Sequence, residues 1–211
     1  MSEMEKLAQY FTRFPGIGTR QARRFVYFLL ASNPAYVKDL SARMLSLLEK
    51  SAQCADCRRY FEHTNGGRDT TRVCDMCADT ASDPHTLVVV EKDADLLSFK
   101  KSGGSLGRFF VLGALIPLSE IKGAVVAPRV KELKGRIEKA VASGLKEVLL
   151  ALSATPEGDH TALELRILLE PLQKKHGFTV SALGRGLSTG SELEYADGET
   201  IKSAFENRKT Q

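Results

Sequence analysis

The chain has 211 residues, of which 43% are hydrophobic and 27% charged, a composition that excludes a disordered or collagen-like chain and allows a buried core without cross-links. Its longest apolar stretch, 109–118, holds ten residues broken by Gly113 and Pro117, about half the ~20 that a membrane-spanning helix needs. The first ten residues carry Glu3, Glu5 and Lys6 in place of an apolar signal core, so the expected location is the cytoplasm. Thirty Lys and Arg against 26 Asp and Glu give a net charge of +4, which suits a polyanionic partner. The charge is unevenly spread. Lys6, Arg13, Arg20, Arg23 and Arg24 fall in a stretch without an acid, and 122–139 is a second basic stretch.

In chain order, Met4, Leu7, Ala8 and Phe11 follow helical spacing, and Phe14-Pro15-Gly16-Ile17-Gly18 interrupts it as a tight turn. Ala22, Phe25, Val26, Leu29 and Leu30 form the stripe of a second helix, with Arg20, Arg23 and Arg24 on or beside its opposite face. Asn33-Pro34 starts a third, as N-cap and first helical residue. Its stripe of Val37, Leu40, Met44, Leu47 and Leu48 predicts that residues 1–52 are a helical unit sharing one core. From Cys54 to Cys77 the chain is too polar to hold itself together. Beyond Asp83-Pro84 come a β-branched run, 86–91, and further candidate strands at 108–112, 147–152 and 178–183. Helical segments at 93–101, 128–143 and 161–176 alternate with them, with Pro171 expected to kink or divide the last. Strands alternating with helices predict a parallel α/β sheet.

The four cysteines form two pairs, Cys54-x2-Cys57 and Cys74-x2-Cys77, separated by 16 residues. This spacing lets two knuckles close a tetrahedral four-thiolate zinc site with no position left for water, a structural site rather than a catalytic one. His63 and His85 are alternative ligands that four sulfurs make unnecessary, and disulfides are disfavoured in a reducing compartment. In the turn, Gly16 and Gly18 allow close backbone approach to a phosphate at the start of the second helix. Arg20 and Arg24, one helical turn apart, would neutralise neighbouring phosphates without reading base sequence. Glu91 ends the first predicted strand and Ser153 to Asp159 follow the third, so both should meet at the carboxyl edge of the sheet, where an acid could hold magnesium.

Taken together, FPGIGTRQARR (14–24), CADC and CDMC, VVVEKDAD (88–95), GRFFVLGALIPL (107–118), ATPEGDHTA (154–162) and GSELEYADGETI (190–201) resemble the RecR family of bacterial recombination mediators. The resemblance spans most of the chain. It implies an α/β chain with a helix-hairpin-helix DNA-binding region at 1–52, a four-cysteine zinc finger at 53–84, a Toprim domain at 85–183 and an assembly region at 184–211. It places the DNA-contacting basic positions on Arg20 and Arg24, within an expected DNA-binding set that also holds Gly16, Gly18 and Arg23, and the first Toprim acid on Glu91, with Glu157 and Asp159 matching acids slightly further on. It further implies a homodimer or tetrameric ring that clamps DNA, acts with RecO and RecF, and loads RecA on gapped DNA. Catalytic Toprim enzymes carry an Asp-x-Asp pair after the third strand, where this chain has Ser153-Ala154-Thr155. Hydroxyls do not replace two anionic ligands of a divalent ion, so a protein without catalytic activity is expected. The competing readings are a magnesium-dependent nuclease or topoisomerase built on Glu91, Glu157 and Asp159, and a zinc adaptor that contacts only proteins.

Overall fold

The computed structural model describes residues 1–63, 72–101, 107–118, 129–190 and 192–208. The chain divides into two compact units, Met1–Ala52 with Glu62–Arg68 and Gln53–Phe61 with Asp69–Gln211. Residues 64–71 between the cysteine pairs, Pro128 and the Lys122 end of the second basic stretch, Ser191 and the last three residues lie outside the described residues.

The first unit is built on helices α1 (Glu3–Phe11), α2 (Thr19–Ala31) and α3 (Pro34–Lys50). Ser2 and Glu5 close a reciprocal capping box on α1: the Ser2 hydroxyl accepts from the Glu5 N–H and the Glu5 carboxylate accepts from the Ser2 N–H. Ala22 and Val26 of α2 are buried, and Phe11 meets Phe25 edge-on at 5.6 Å. Helix α3 starts where expected, with the Asn33 side chain accepting from the Ala35 N–H at 2.8 Å.

The expected shared core is corrected, however. Helix α3 buries no residue, and Met44, Leu47 and Leu48 are 53%, 58% and 64% exposed. An edge-on contact between Phe28 and Tyr36 links α2 to α3 at their near ends. The apolar spacing defines a face but does not supply anything to cover it.

Strands β1 (Ser51–Gln53) and β2 (Tyr60–Glu62) pair as a short ribbon on either side of the first cysteine knuckle, and in the second unit α4 (Asp75–Ala78) carries the second knuckle. The main sheet follows: β3 (Thr86–Val90), α5 (Asp93–Lys101), β4 (Arg108–Val111), α6 (Val130–Ala142), β5 (Glu147–Ala151), α7 (Pro156–His176) and β6 (Thr179–Ala182). Its order is β4-β3-β5-β6 with every pairing parallel.

Strand alternation explains the layers. Leu87, Val89, Phe110, Val148 and Leu150 face Leu133 and Ile137 of α6 and Leu165 and Leu169 of α7. Val88, Val90, Phe109 and Val111 face Leu96 of α5, with Met76 of the cysteine segment packed against them. Burying each such side chain contributes about 1.5–3 kcal/mol, so both faces of the sheet are anchored.

Helix α7 begins five residues before the expected start and runs through Pro171 undivided. Thr155 caps it by accepting from the Gly158 N–H at 3.2 Å, and Pro156 takes the first helical position, where a missing N–H costs nothing. Gly177, at φ 77°, ends it in the left-handed conformation. A 3-10 turn at Leu193–Tyr195 and α8 (Gly198–Glu206) complete the described chain. Leu193, Tyr195 and Phe205 are exposed there.

Candidate functional site

The two cysteine knuckles are folded differently. In the first, the Cys54 N–H donates to the Arg59 carbonyl at 2.9 Å and the Arg58 N–H to the Cys54 carbonyl at 3.1 Å, with Arg58 at a positive φ of 63° turning the chain back. In the second, Cys74 caps α4 and the Cys77 N–H donates to the Cys74 carbonyl at 3.1 Å. The Cys74 N–H also donates to the Cys54 sulfur at 3.3 Å, joining the knuckles.

As a result the four sulfurs lie within 4.8 Å of one another, with Cys54, Cys57 and Cys74 buried. The Cys57 and Cys74 sulfurs are 3.6 Å apart. A tetrahedral ion with bonds of about 2.3 Å to sulfur sets its ligands about 3.8 Å apart, whereas a disulfide requires about 2.05 Å. All four cysteines are free thiols, and they fit a four-thiolate metal centre. Their ionisation is shared. Hydrogen bonds from Cys57, Cys74 and Cys77 hold Cys54 far below the ordinary thiol range, while serving as donor towards Cys54 pushes Cys57 and Cys77 far above it. Neither histidine joins the group; the His85 Nδ1 instead lies 2.7 Å from the Gly144 carbonyl.

This centre is fixed to the sheet by backbone and by charge. The Val111 N–H donates to the Cys57 carbonyl at 2.8 Å. One Arg129 nitrogen donates to the carbonyls of Val111 at 2.9 Å and Arg58 at 3.3 Å. Gly113, at φ 92°, leaves room for that guanidinium, since a Cβ there would lie 2.9 Å from its central carbon. From α6, Glu132 reaches Arg58 at 3.8 Å and Lys139 reaches Asp56 at 3.5 Å. The Asp93 carboxylate accepts from the Tyr60 N–H at 2.8 Å. Spacing between cysteines carries no sign of these supports.

At the carboxyl edge of the sheet, the register that pairs Val90 with Ala151 brings the Ser153 hydroxyl to the Glu91 carboxylate at 2.6 Å. Lys92 lies 3.7 Å from the other Glu91 oxygen. Glu157 and Asp159 occupy the exposed first turns of α7, and Arg185 clasps Asp159 through both terminal nitrogens. The Asp159 carboxylate in turn raises the Arg185 pKa. The three acids do not converge as ligands: among the described residues the cysteines form the one group suited to a metal. Two further contacts hold this edge. Gly158 is pressed against the Ser153 carbonyl, which a Cβ would meet at 1.9 Å. Buried Thr161 accepts from the Ile116 N–H at 2.8 Å and donates to the Glu157 carbonyl at 2.7 Å. Arg185 went unpredicted, because a contact 26 residues away along the chain has no local signature.

In the first unit, Gly16 adopts φ 75°, a conformation that favours glycine, and the Ile17 N–H closes the turn on the Phe14 carbonyl at 3.1 Å. Gly18 caps α2 without any side-chain bond, and no acid lies in the first turn of that helix. Arg20, Arg23 and Arg24 are exposed, and among the described residues none pairs with an acid. Arg24 bonds to Gln21 at 3.3 Å. Arg23 borders a groove between α1 and α2 lined also by Glu5 and Tyr27, so it faces differently from Arg20 and Arg24.

The parallel sheet, with its acidic edge and a four-cysteine cluster fixed beside it, defines the class: a Toprim-domain protein bearing four clustered cysteines that fit a metal. The Toprim domain family matches residues 86–183, and the family described as "RecR, C-terminal" matches residues 186–209. The recombination protein RecR of Chlorobium chlorochromatii is 36% identical over 206 residues, covering 97% of this chain and 95% of that protein. Those of Methylorubrum populi (35%, covering 98% and 94%) and Bdellovibrio bacteriovorus (34%, covering 99% and 97%) are similarly alike from end to end. The chain belongs to the RecR family of recombination proteins. Among the described residues no helix is long and apolar enough to cross a membrane.

Proposed function

We propose that this chain is a cytoplasmic, non-catalytic recombination mediator that grips the DNA backbone through a helix-hairpin-helix at residues 1–52. The observation that carries this reading is the uncapped start of α2, where Gly16 and Gly18 leave the backbone open and Arg20 and Arg24 stand exposed without acidic partners. Cations at the positive end of a helix are unfavourable by themselves. A phosphate seated on the N-terminal amides reverses that balance. Arg23 adds charge from the neighbouring groove.

Zinc is the metal that suits the four thiolates of Cys54, Cys57, Cys74 and Cys77. When bound it supplies only cross-linking, because four sulfurs leave no site for substrate. It would tie the finger at 53–84 to the Toprim domain at 85–183. Glu91, Glu157 and Asp159 serve as a polar surface and not as a catalytic metal site: Ser153 stands where a carboxylate would be required, and Arg185 occupies Asp159.

The exposed apolar residues of α3 and of the 184–211 assembly region support a homodimer or tetrameric ring. Several hairpins held together would raise effective concentration on one DNA. On this reading RecO and RecF are its partners and the loading of RecA on gapped DNA is the outcome. A salt titration of binding to gapped, single-stranded and duplex DNA, with oligomer mass measured on the same sample, tests the reading. Salt-sensitive retention by an oligomer supports it, and salt-insensitive behaviour without DNA retention would favour an adaptor that contacts only proteins.

A further inference from the structure

We propose that Arg59 and Arg136 form a cationic shell that holds the charge of the loaded metal centre, and so act as positioning residues of that site. The proposal rests on the metal reading above. Four thiolates with one divalent ion carry a net charge of about −2, and three of these sulfurs are buried. Charge buried to that extent needs compensation from fixed opposite charge or from hydrogen bonds. Backbone donors such as the Cys74 N–H, 3.3 Å from the Cys54 sulfur, meet only part of that need.

Arg59 follows the first knuckle in sequence and reaches the second in space. Its side chain is 14% exposed and pairs with the carboxylate of Asp75, the residue next to Cys74. Its Nε is buried without a hydrogen-bond partner. Asp75 is 71% exposed and so meets the guanidinium from the solvent side.

Arg136 makes the same argument from the other side. It is the one charged residue among the buried described residues, at 6% exposure, and its Nε also lacks a partner. No described acid forms an ion pair with it. On α6 it stands one turn after Glu132, which reaches Arg58, and one turn before Lys139, which reaches Asp56. Arg136 therefore lies on the face that receives the Cys54–Cys57 knuckle. A cationic side chain with a buried, unpartnered Nε is unfavourable there unless what it faces is anionic, and the loaded centre is anionic.

The test compares wild type, Arg59→Met, Arg59→Lys, Arg136→Met and Arg136→Lys, with Lys131→Met as a control on the exposed side of α6. Zinc affinity is read by competition with a chromogenic chelator, and Tm is read with and without zinc. Each Met variant should lower zinc affinity about 10- to 100-fold and shrink the rise in Tm that zinc produces. Arg136→Lys should recover most of the loss, because charge is what is required there. Arg59→Lys should recover less, because a point charge cannot hold the Asp75 carboxylate and face the centre together as a planar fork can. If wild type holds stoichiometric zinc and the Met variants lower Tm equally with and without it at unchanged affinity, the shell is refuted and the metal reading stands. Wild type that binds no zinc overturns both. Should Arg136→Met fail to fold, unchanged affinity in Arg59→Met is enough to refute the shell.

Discussion

Replacing Arg20 and Arg24 together by alanine isolates the hairpin's grip on DNA from everything else in the chain. The two residues are four apart on α2, about 6 Å along its axis, and both are exposed. Each cation that neutralises a phosphate contributes about 0.9 to the slope of log affinity against log salt on duplex DNA. Losing two should therefore flatten the slope by about 1.8 for each hairpin engaged. Between 50 and 200 mM salt that corresponds to about a tenfold smaller loss of affinity per hairpin. Stability should not fall. Arg20 is the second residue of α2, close to the positive end of its dipole, so its removal relieves about 0.3–1 kcal/mol of unfavourable interaction, and alanine is the better helix former. The assay is fluorescence anisotropy with labelled duplex across a salt series, alongside Tm and zinc content. Unchanged affinity and slope in a folded variant would refute the hairpin assignment, and weaker binding that appears only with a fall in Tm would refute the claim that these residues act by charge alone.

Two further substitutions probe the Toprim edge. Thr161→Val keeps the shape of a fully buried side chain but strips the Ile116 N–H of its acceptor, and should cost about 1–3 kcal/mol by urea denaturation, with Thr161→Ser recovering most of it. Arg185→Gln removes an exposed clasp on Asp159, so global stability should change by less than about 1 kcal/mol. The backbone near the Asn207 contact to the Arg185 carbonyl should nonetheless exchange amide hydrogens faster, and unaltered exchange would show that the clasp orders nothing.

The four strands of the main sheet were recovered to within a residue at their ends, most plainly β3, whose β-branched run is buried on both faces, whereas the three-residue strands β1 and β2 are too short to show a pattern and were not expected. The meeting of Glu91 with Ser153 was legible, since parallel strands in register end on one edge. The start of α7 was readable in principle: Thr155-Pro156 is a cap followed by a first-position proline, a signal as local as Asn33-Pro34. The fate of α3 was not readable, because amphipathic spacing is indifferent to whether the covering surface belongs to the same chain. Cysteine spacing located the metal centre but not its supports. Arg59, Arg129 and Arg136 are placed by how the knuckle sits on β4 and α6, and Arg185 by the path of the chain after β6, so their roles are properties of topology.

The central claim is that the protein grips phosphodiesters without breaking them. Supercoiled plasmid incubated with the purified, zinc-loaded protein in magnesium or manganese, then stripped of protein and resolved on a gel, tests this directly. The account predicts plasmid that is retained at low salt, released at high salt and recovered fully supercoiled. Metal-dependent nicking that disappears in Glu91→Gln would contradict it.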